Sequence, residues 1–182
     1  MQLIQTVAPI KEPLTLLEVK EFLRISNTDD DALISSLIGA VREHIEKATN
    51  RQLEIATFEL IDAKLFTTLP GGSFITIDKI EYLDENLDYI LFELNKYYSY
   101  VNNGIGSIYF NEIPALQTHK KAIKVTFTCG YSEVPEAIKQ YMKVKIATLY
   151  ENREEFVIGV SISEFGSKFI ENLLSPYKIR SI

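Results

Sequence analysis

Residues 29–50 read DDDALISSLIGAVREHIEKATN, a stretch in which apolar side chains recur at three- and four-residue steps. This spacing predicts a long amphipathic helix with one face against a core. The three aspartates that open the stretch suit a helix cap and the positive end of the helix dipole, and Asn50 is predicted to end the helix. On the opposite face, Arg42 and Glu46 are predicted to form an i, i+4 pair that faces water.

Further helices are predicted on both sides of this segment. Thr15 and Glu18 have the spacing of a capping box, which predicts a short helix that begins there. The sequence Val134-Pro135-Glu136 is typical of a helix N-terminus and predicts a third helix that runs to about residue 153. A last short helix is predicted over Gly166 to Leu174.

Between the second and third predicted helices, from about residue 54, the sequence changes to short β-type segments separated by turns. The turns are predicted at residues 69–72, 84–86 and 102–106. Several strands at this spacing indicate a small antiparallel sheet or barrel. The candidate strands are Ile55 to Ile61, Phe74 to Ile77, Ile80 to Leu83, Tyr89 to Leu94, Tyr97 to Val101, Ser107 to Phe110 and Ile123 to Thr128.

These segments together predict an α+β fold in a single domain that spans residues 1–182. We expect both chain ends, residues 1–53 and 133–182, to form a helical body. A small antiparallel β module, residues 54–132, is then inserted between the second and third helices.

Composition excludes several classes of protein. The 182 residues include 25 acidic and 19 basic side chains, and the formal charge of −6 argues against the usual basic nucleic-acid binder. A hydrophobic content of 46% excludes wholesale disorder. One cysteine cannot form an internal disulfide, and one cysteine with two histidines is too few for a structural zinc site. The low cysteine content indicates a cytoplasmic protein. No apolar run is long enough for a membrane span, so we expect no membrane partner.

No pattern of catalytic residues is found in the sequence. The carboxylates at positions 29–31 are expected to cap a helix, and they lack the spacing of a calcium loop. His44 is expected on a solvated helix face, His119 in a polar connection, and Cys129 as a small hydrophobe at a strand end. We therefore predict no catalytic, cofactor-binding or metal-binding residue, no cofactor, and no enzymatic activity.

Two further motifs have structural interpretations. The segment Gly104-Ile105-Gly106 lacks the third glycine of a dinucleotide fingerprint and lies between two predicted strands, so a hairpin turn is expected. A group of aromatic residues is compatible with stacking on single-stranded nucleic acid, but Lys96 is the only adjacent base. Cross-strand pairing or a protein interface is the favoured interpretation. The group consists of Tyr97, Tyr98, Tyr100, Tyr109 and Phe110.

A series of motifs appears in a recognisable order. These are EPLTLLEVKEFLRI at 12–25, DDALI at 30–34, ATNR at 48–51, VTFTCGY at 125–131, and VPEAIKQ at 134–140 followed by LYENRE at 149–154. In this order they resemble the head–tail connector proteins of tailed bacteriophages and prophages, also called adaptor or head-completion proteins. Asn50 stands where that family usually has glycine, and Cys129 where it usually has another small residue.

The resemblance implies a structural role without catalytic residues. It implies a subunit of a homo-oligomeric ring, dodecameric in the virion, that docks beneath the portal protein and extends the DNA channel. The implied partners are other copies of the chain, the portal, tail or further head-completion proteins, and passing duplex DNA that is not bound sequence-specifically. The implied locations are the host cytoplasm during assembly and the head–tail junction of the virion.

A ring requires two different patches on each subunit that meet head to tail. Phe156, Ile158, Val160 and Ile162 alternate in a β-like pattern after the third helix, which suits a strand that joins a neighbouring subunit. Pairing with the β module of the same chain is the alternative.

A second patch is predicted in the terminal segments, residues 1–10 and 175–182, which have weak secondary-structure signals. Tyr177, Ile179 and Ile182 are the candidate contact residues. Such ends order on a partner or fray in solution, and the sequence leaves both possibilities open.

A monomeric binding or regulatory module is the alternative function. In that interpretation the aromatic β region recognises a small molecule or a peptide and the helices only support it. The alternative predicts a monomer at all concentrations, whereas the connector hypothesis predicts a ring.

Overall fold

The computed structural model describes residues 1–152, 170 and 172–179, and this part of the chain confirms the α+β class. The chain divides into two compact units, residues 1–10 with 54–132, and residues 11–53 with 133–182. The described residues of the second unit include three α-helices, which are α1 (Leu16–Leu23), α2 (Asp31–Thr49) and α3 (Glu136–Glu151). The described strands, all in the first unit, are β1 (Gln2–Val7), β2 (Ala56–Asp62), β3 (Thr68–Gly72), β4 (Phe74–Leu83), β5 (Tyr89–Leu91), β6 (Tyr97–Asn102), β7 (Ile105–Phe110) and β8 (Ile123–Cys129).

The strands of the first unit form two antiparallel sheets. A five-stranded sheet has the order β1-β2-β8-β4-β5, and a three-stranded sheet has the order β3-β7-β6. Apolar side chains from both sheets make one core. It consists of Leu60, Leu69, Phe74, Ile77, Ile80, Phe92, Tyr97, Ile108, Ile123, Val125, Phe127 and Cys129.

Residues 1–10 differ from the prediction, because they belong to the β unit and not to a helical body. Gln2–Val7 forms β1, which pairs antiparallel with β2, for example Leu3 with Leu60. All six residues of β1 are exposed, so the strand has no buried face. A strand of this kind carries no alternation of apolar and polar residues that the sequence could reveal.

Two other strands also differ from their predictions. The segment containing Pro70 was expected to be a turn, but it forms β3, an irregular edge strand where proline is tolerated. The two candidate segments at 74–77 and 80–83 are one ten-residue strand, β4. Register shifts between Phe74 and Thr76 and between Ile77 and Lys79 interrupt its alternation, which explains why the sequence resembles two strands.

Two glycines are required by close packing in the β unit. A Cβ atom on Gly106 would lie 2.4 Å from Cδ2 of Phe74. Gly130 has a φ of +135°, and a Cβ atom there would lie 2.6 Å from the backbone of Glu54. Glycine alone fits both positions without displacement of a neighbour.

The helical unit begins as the sequence predicts. Thr15 and Glu18 form a capping box: the Thr15 hydroxyl accepts from the Glu18 amide, and the Glu18 carboxylate accepts from the Thr15 amide. α2 ends at Asn50, which adopts the left-handed conformation. The buried side chains of the unit include Leu14, Val19, Ile34, Ile38, Val41, Ile45, Leu53, Val134, Ile138, Tyr141, Met142, Ile146 and Leu174.

The Arg42–Glu46 pair is present, but it is largely shielded from water, contrary to the prediction. Arg42 Nη1 lies 2.8 Å from Glu46, and its Nε lies 2.8 Å from Glu12. The other carboxylate oxygen of Glu46 accepts from the amide of Leu53 at 3.0 Å. Burial raises the pKa of Glu46, against the lowering effects of the Leu53 amide and Arg42. The pair therefore fixes the chain where it leaves α2.

Candidate interaction surfaces

Cys129 is positioned as a packing residue. Its side chain is fully buried in the β core, and its Sγ lies 3.6 Å from the Gly71 carbonyl oxygen, to which the thiol donates. Burial, with a smaller contribution from Asp78, raises the pKa of the Cys129 thiol to about 12. A thiol in this state is a poor nucleophile at neutral pH.

The other polar candidates have local structural contacts. Asp31 pairs with Lys20 at 2.6 Å, and Asp30 accepts a hydrogen bond from the Tyr150 hydroxyl. Asp30 occupies the N-cap position of α2 without a side-chain capping bond, so this carboxylate does not cap the helix as expected. His44 is exposed on α2, and Nδ1 of His119 accepts from the Lys121 amide at 3.2 Å in an exposed turn.

The described residues contain neither a metal-binding cluster nor a helix suited to span a membrane. In residues 1–152, 170 and 172–179, no three His, Cys, Asp or Glu side chains are placed to hold a metal ion. No helix in the same ranges combines the length and apolarity needed to cross a membrane.

The aromatic group is divided between the core and the surface. Tyr97 is buried, and burial raises the pKa of its hydroxyl, whereas Tyr98, Tyr100 and Tyr109 are each about half exposed. Tyr98 and Tyr109 face each other across β6 and β7, with ring centroids 5.0 Å apart and an interplanar angle of 27°. The predicted cross-strand pairing is therefore present.

Two of the predicted contact residues in the C-terminal tail are held at the end of α2. The amide of Ile179 donates to the Thr49 carbonyl at 2.9 Å, and the Asn50 side chain donates to the Ile179 carbonyl at 3.0 Å. Arg51 Nε donates to the Tyr177 carbonyl at 2.6 Å. These bonds use backbone groups of the tail, and the two side chains are half-buried.

The remaining predicted contact residues lie outside the described part of the chain. They are Phe156, Ile158, Val160, Ile162 and Ile182. Most of the short helix predicted over Gly166 to Leu174 also lies outside it.

Open strand edges are a feature that sequence reasoning missed. β1 and β5 are the two outer strands of the five-stranded sheet, and among the described strands each pairs on one side only. Leu3, Ile4 and Val7 of β1 are 47%, 37% and 51% exposed, and Leu91 of β5 is 63% exposed. The sequence did contain a signal for these edges. QLIQTV and YIL have no charged residue and no proline, and these are the residues that usually protect an edge strand from pairing with another chain.

Open strand edges and an exposed aromatic face are typical of surfaces that contact other chains. The family model for head completion proteins matches residues 12–182. The chain therefore belongs to the head completion protein family, as the resemblance to phage head–tail connectors indicated, and it is a structural protein of the virion.

Solved structures share this fold along the whole chain. The chain is similar to a protein in the neck of an empty gene transfer agent (GTA) particle computed with C6 symmetry, with a TM-score of 0.82 and 20% identity over 100% of this chain and 98% of that chain. A chain from the native GTA virion gives a TM-score of 0.81 at 21% identity, and one from a native neck computed with C12 symmetry gives 0.75 at 21%, both with the same coverage. No curated protein matches the chain in sequence.

Proposed function

We propose that the chain is the subunit of a closed ring in the neck of a tailed phage or prophage particle. The ring docks beneath the portal, extends the DNA channel and provides the attachment surface for tail or further head-completion proteins. It assembles from chains folded in the host cytoplasm and has no catalytic role. The supporting observation is the head completion family match over residues 12–182, combined with the same fold in GTA necks computed with C6 and C12 symmetry.

The two compact units support the proposed arrangement within each subunit. The helical unit, residues 11–53 and 133–182, is the body, and the β unit is inserted between α2 and α3 and includes β1. This keeps the arrangement predicted from the sequence and moves only residues 1–10.

Residues of the C-terminal region are proposed as one patch of the ring contact. Phe156, Ile158, Val160 and Ile162 alternate in the sequence, and a strand made by them suits addition to a neighbouring subunit. Tyr177, Ile179 and Ile182 of the terminal segment are proposed to belong to the second patch, together with residues 1–10.

The net charge of −6 suits passage of DNA. Acidic channel walls repel phosphates, whereas lysine and arginine would retain them, so duplex DNA slides through without sequence-specific binding.

A monomeric binding module is the second candidate, favoured by the exposed tyrosines on β6 and β7. That hypothesis predicts no affinity for a portal. We therefore propose to immobilise portal rings of the same virus and measure retention of the chain, with a portal of an unrelated phage as the control. Retention of the chain on the cognate portal but not on the unrelated one supports the ring subunit. Failure of both immobilised portals to retain the chain contradicts docking beneath the portal.

A further inference from the structure

The five-stranded sheet ends in two unprotected edges. β1 has six residues and β5 has three, and neither contains a charged residue or proline. Each presents a row of backbone N–H and C=O groups that are not paired within the sheet and form a template for another extended strand. In a protein that remained a monomer, such edges would favour uncontrolled pairing.

β1 is especially exposed, because neither of its faces contributes to a core. Its side chains are exposed at all six positions, and the regular part of its pairing with β2 runs from Gln2 to Gln5. Backbone bonds to β2 and the bond from the Thr6 hydroxyl to the Thr57 carbonyl hold it in place. A strand that buries so little apolar surface within its own subunit is suited to bury it against another chain.

β5 is fixed in position while its outer edge stays open. The Tyr89 hydroxyl donates to the Lys121 carbonyl at 2.9 Å, and Lys124 Nζ lies 4.3 Å from the centre of the Tyr89 ring. Ile90 and Leu91 follow on the exposed edge. The edge therefore has a defined orientation before any partner arrives.

We propose that β1 of one copy adds to β5 of the next copy, so that the five-stranded sheet continues from subunit to subunit. This inference rests on the proposed ring and assigns one of its contacts. The two edges are different surfaces on opposite sides of one sheet, which is what a head-to-tail cyclic contact requires. A two-fold dimer would use one edge twice.

The direction of the contact follows from the sheet. Each of the four successive pairings from β1 to β5 is antiparallel, so β1 and β5 run in the same direction. A ring of many copies rotates each subunit only slightly relative to the next and keeps that direction. The pair between subunits is therefore parallel.

The other sheet offers a less suitable pair of edges. Its edge strand β3 contains Pro70 and an irregular register with β7, which protect that side. β6 is open, but no equally open edge lies opposite it in the same sheet.

The test uses chemical cross-linking between two variants, Gln5→Cys and Leu91→Cys, mixed under conditions where the unmodified chain forms rings. Cys129 is buried with a raised pKa, so the native thiol stays silent. A short bismaleimide should give a mixed dimer from this pair. Gln5→Cys mixed with Ser99→Cys on β6 is the matched control and should give at least tenfold less.

A second measurement uses charge to block the edges. Leu3→Lys or Ile90→Lys should raise the concentration required for half-assembly about tenfold or more, because the weakened contact recurs at every interface of the ring. Leu94→Lys replaces an apolar residue that lies outside the strands and is more exposed than Leu3 or Ile90, and it should leave assembly unchanged. The thermal transition of each variant monitors folding.

Failure of this inference and failure of the ring are distinguishable. Rings that form without the β1–β5 cross-link, that cross-link Gln5→Cys to itself or to β6, or that tolerate Leu3→Lys overturn the edge contact and leave the ring intact. Absence of rings under every condition overturns the proposed function and this contact together.

Discussion

Gly106 lies so close to the ring of Phe74 that a Cβ atom would come within 2.4 Å of Cδ2. The contact joins β7 to the start of β4, and the Phe74 amide donates to the Gly104 carbonyl beside it at 3.1 Å. A sequence pattern that resembles part of a nucleotide fingerprint is therefore a packing requirement. The absence of a side chain at Gly106 makes room for an aromatic ring of the core.

Substitution Gly106→Ala should lower the free energy of unfolding by about 1–3 kcal/mol, because the methyl group displaces the buried Phe74 ring. Denaturant unfolding measures the change. Gly39→Ala is the matched control: its Cβ atom would find only Glu12 Oε1, at 3.8 Å, so it should stabilise α2 by about 0.5–1 kcal/mol. An unchanged stability for Gly106→Ala would contradict the packing account.

The position of the C-terminal tail, residues 175–179, should depend on Arg51. Arg51→Ala removes the donor to the Tyr177 carbonyl, a bond from a charged group that contributes about 1.5–3 kcal/mol. Hydrogen exchange of the Ile179 amide should then accelerate at least tenfold, while exchange in β8 stays unchanged. Asn50→Gly keeps the left-handed conformation but removes the bond to the Ile179 carbonyl, so it should have a smaller effect in the same direction. Equal exchange in all three proteins would contradict the anchoring.

The Cys129 thiol should make stability depend on pH in the alkaline range. In the unfolded chain the thiol ionises near 9.0, whereas in the folded protein its pKa is about 12, so only the unfolded state releases the proton between these values. The free energy of unfolding should fall as pH rises from about 9 to 12, by about 1 kcal/mol per pH unit from this group. Comparison with Cys129→Ala isolates the contribution, because that variant lacks the titrating group. Parallel stability curves for the two proteins would show that the thiol titrates normally.

Duplex DNA should not bind the assembled ring tightly at physiological salt. The reason is the excess of acidic over basic residues, which leaves few cations to displace counterions from phosphates. Electrophoretic mobility of a short duplex at micromolar ring concentrations measures this, with a basic DNA-binding protein as the positive control. Tight binding would contradict a sliding channel.

The double variant Ile158→Asp and Val160→Asp should abolish rings and keep a cooperative thermal transition, because charged residues would enter an apolar contact between subunits. Native mass and a thermal melt of the same sample measure both properties. Loss of the transition would show that the segment belongs to the core of its own chain.

Sequence reasoning predicted best where a local pattern determines a local structure. The Thr15–Glu18 capping box and the Asn50 helix end depend on neighbours in sequence, and both are present. The central strand β8 was predicted correctly because apolar residues (Ile123, Val125 and Phe127) alternate with polar residues along it. The α+β class followed from the order of these elements.

The features that sequence reasoning missed depend on partners distant in sequence or on exposure. β1 is exposed on both faces, so its sequence does not show the apolar–polar alternation of a half-buried strand. Its structure depends on pairing with β2, about fifty residues or more away in the chain. Arg42 and Glu46 were assigned to water because Glu12 and the Leu53 amide, which shield them, cannot be located from spacing alone. The open edges were missed for the same reason, because the order of strands in a sheet decides which strands lie at its edges.

The central claim is that copies of this chain close into a ring. The most direct test is native mass measured from about micromolar concentrations upward, alone and on cognate portal rings, with electron micrographs of any large species. We predict a closed ring with a central hole and six- or twelvefold symmetry, on the portal if not alone. A chain that stays monomeric in both conditions would contradict the account.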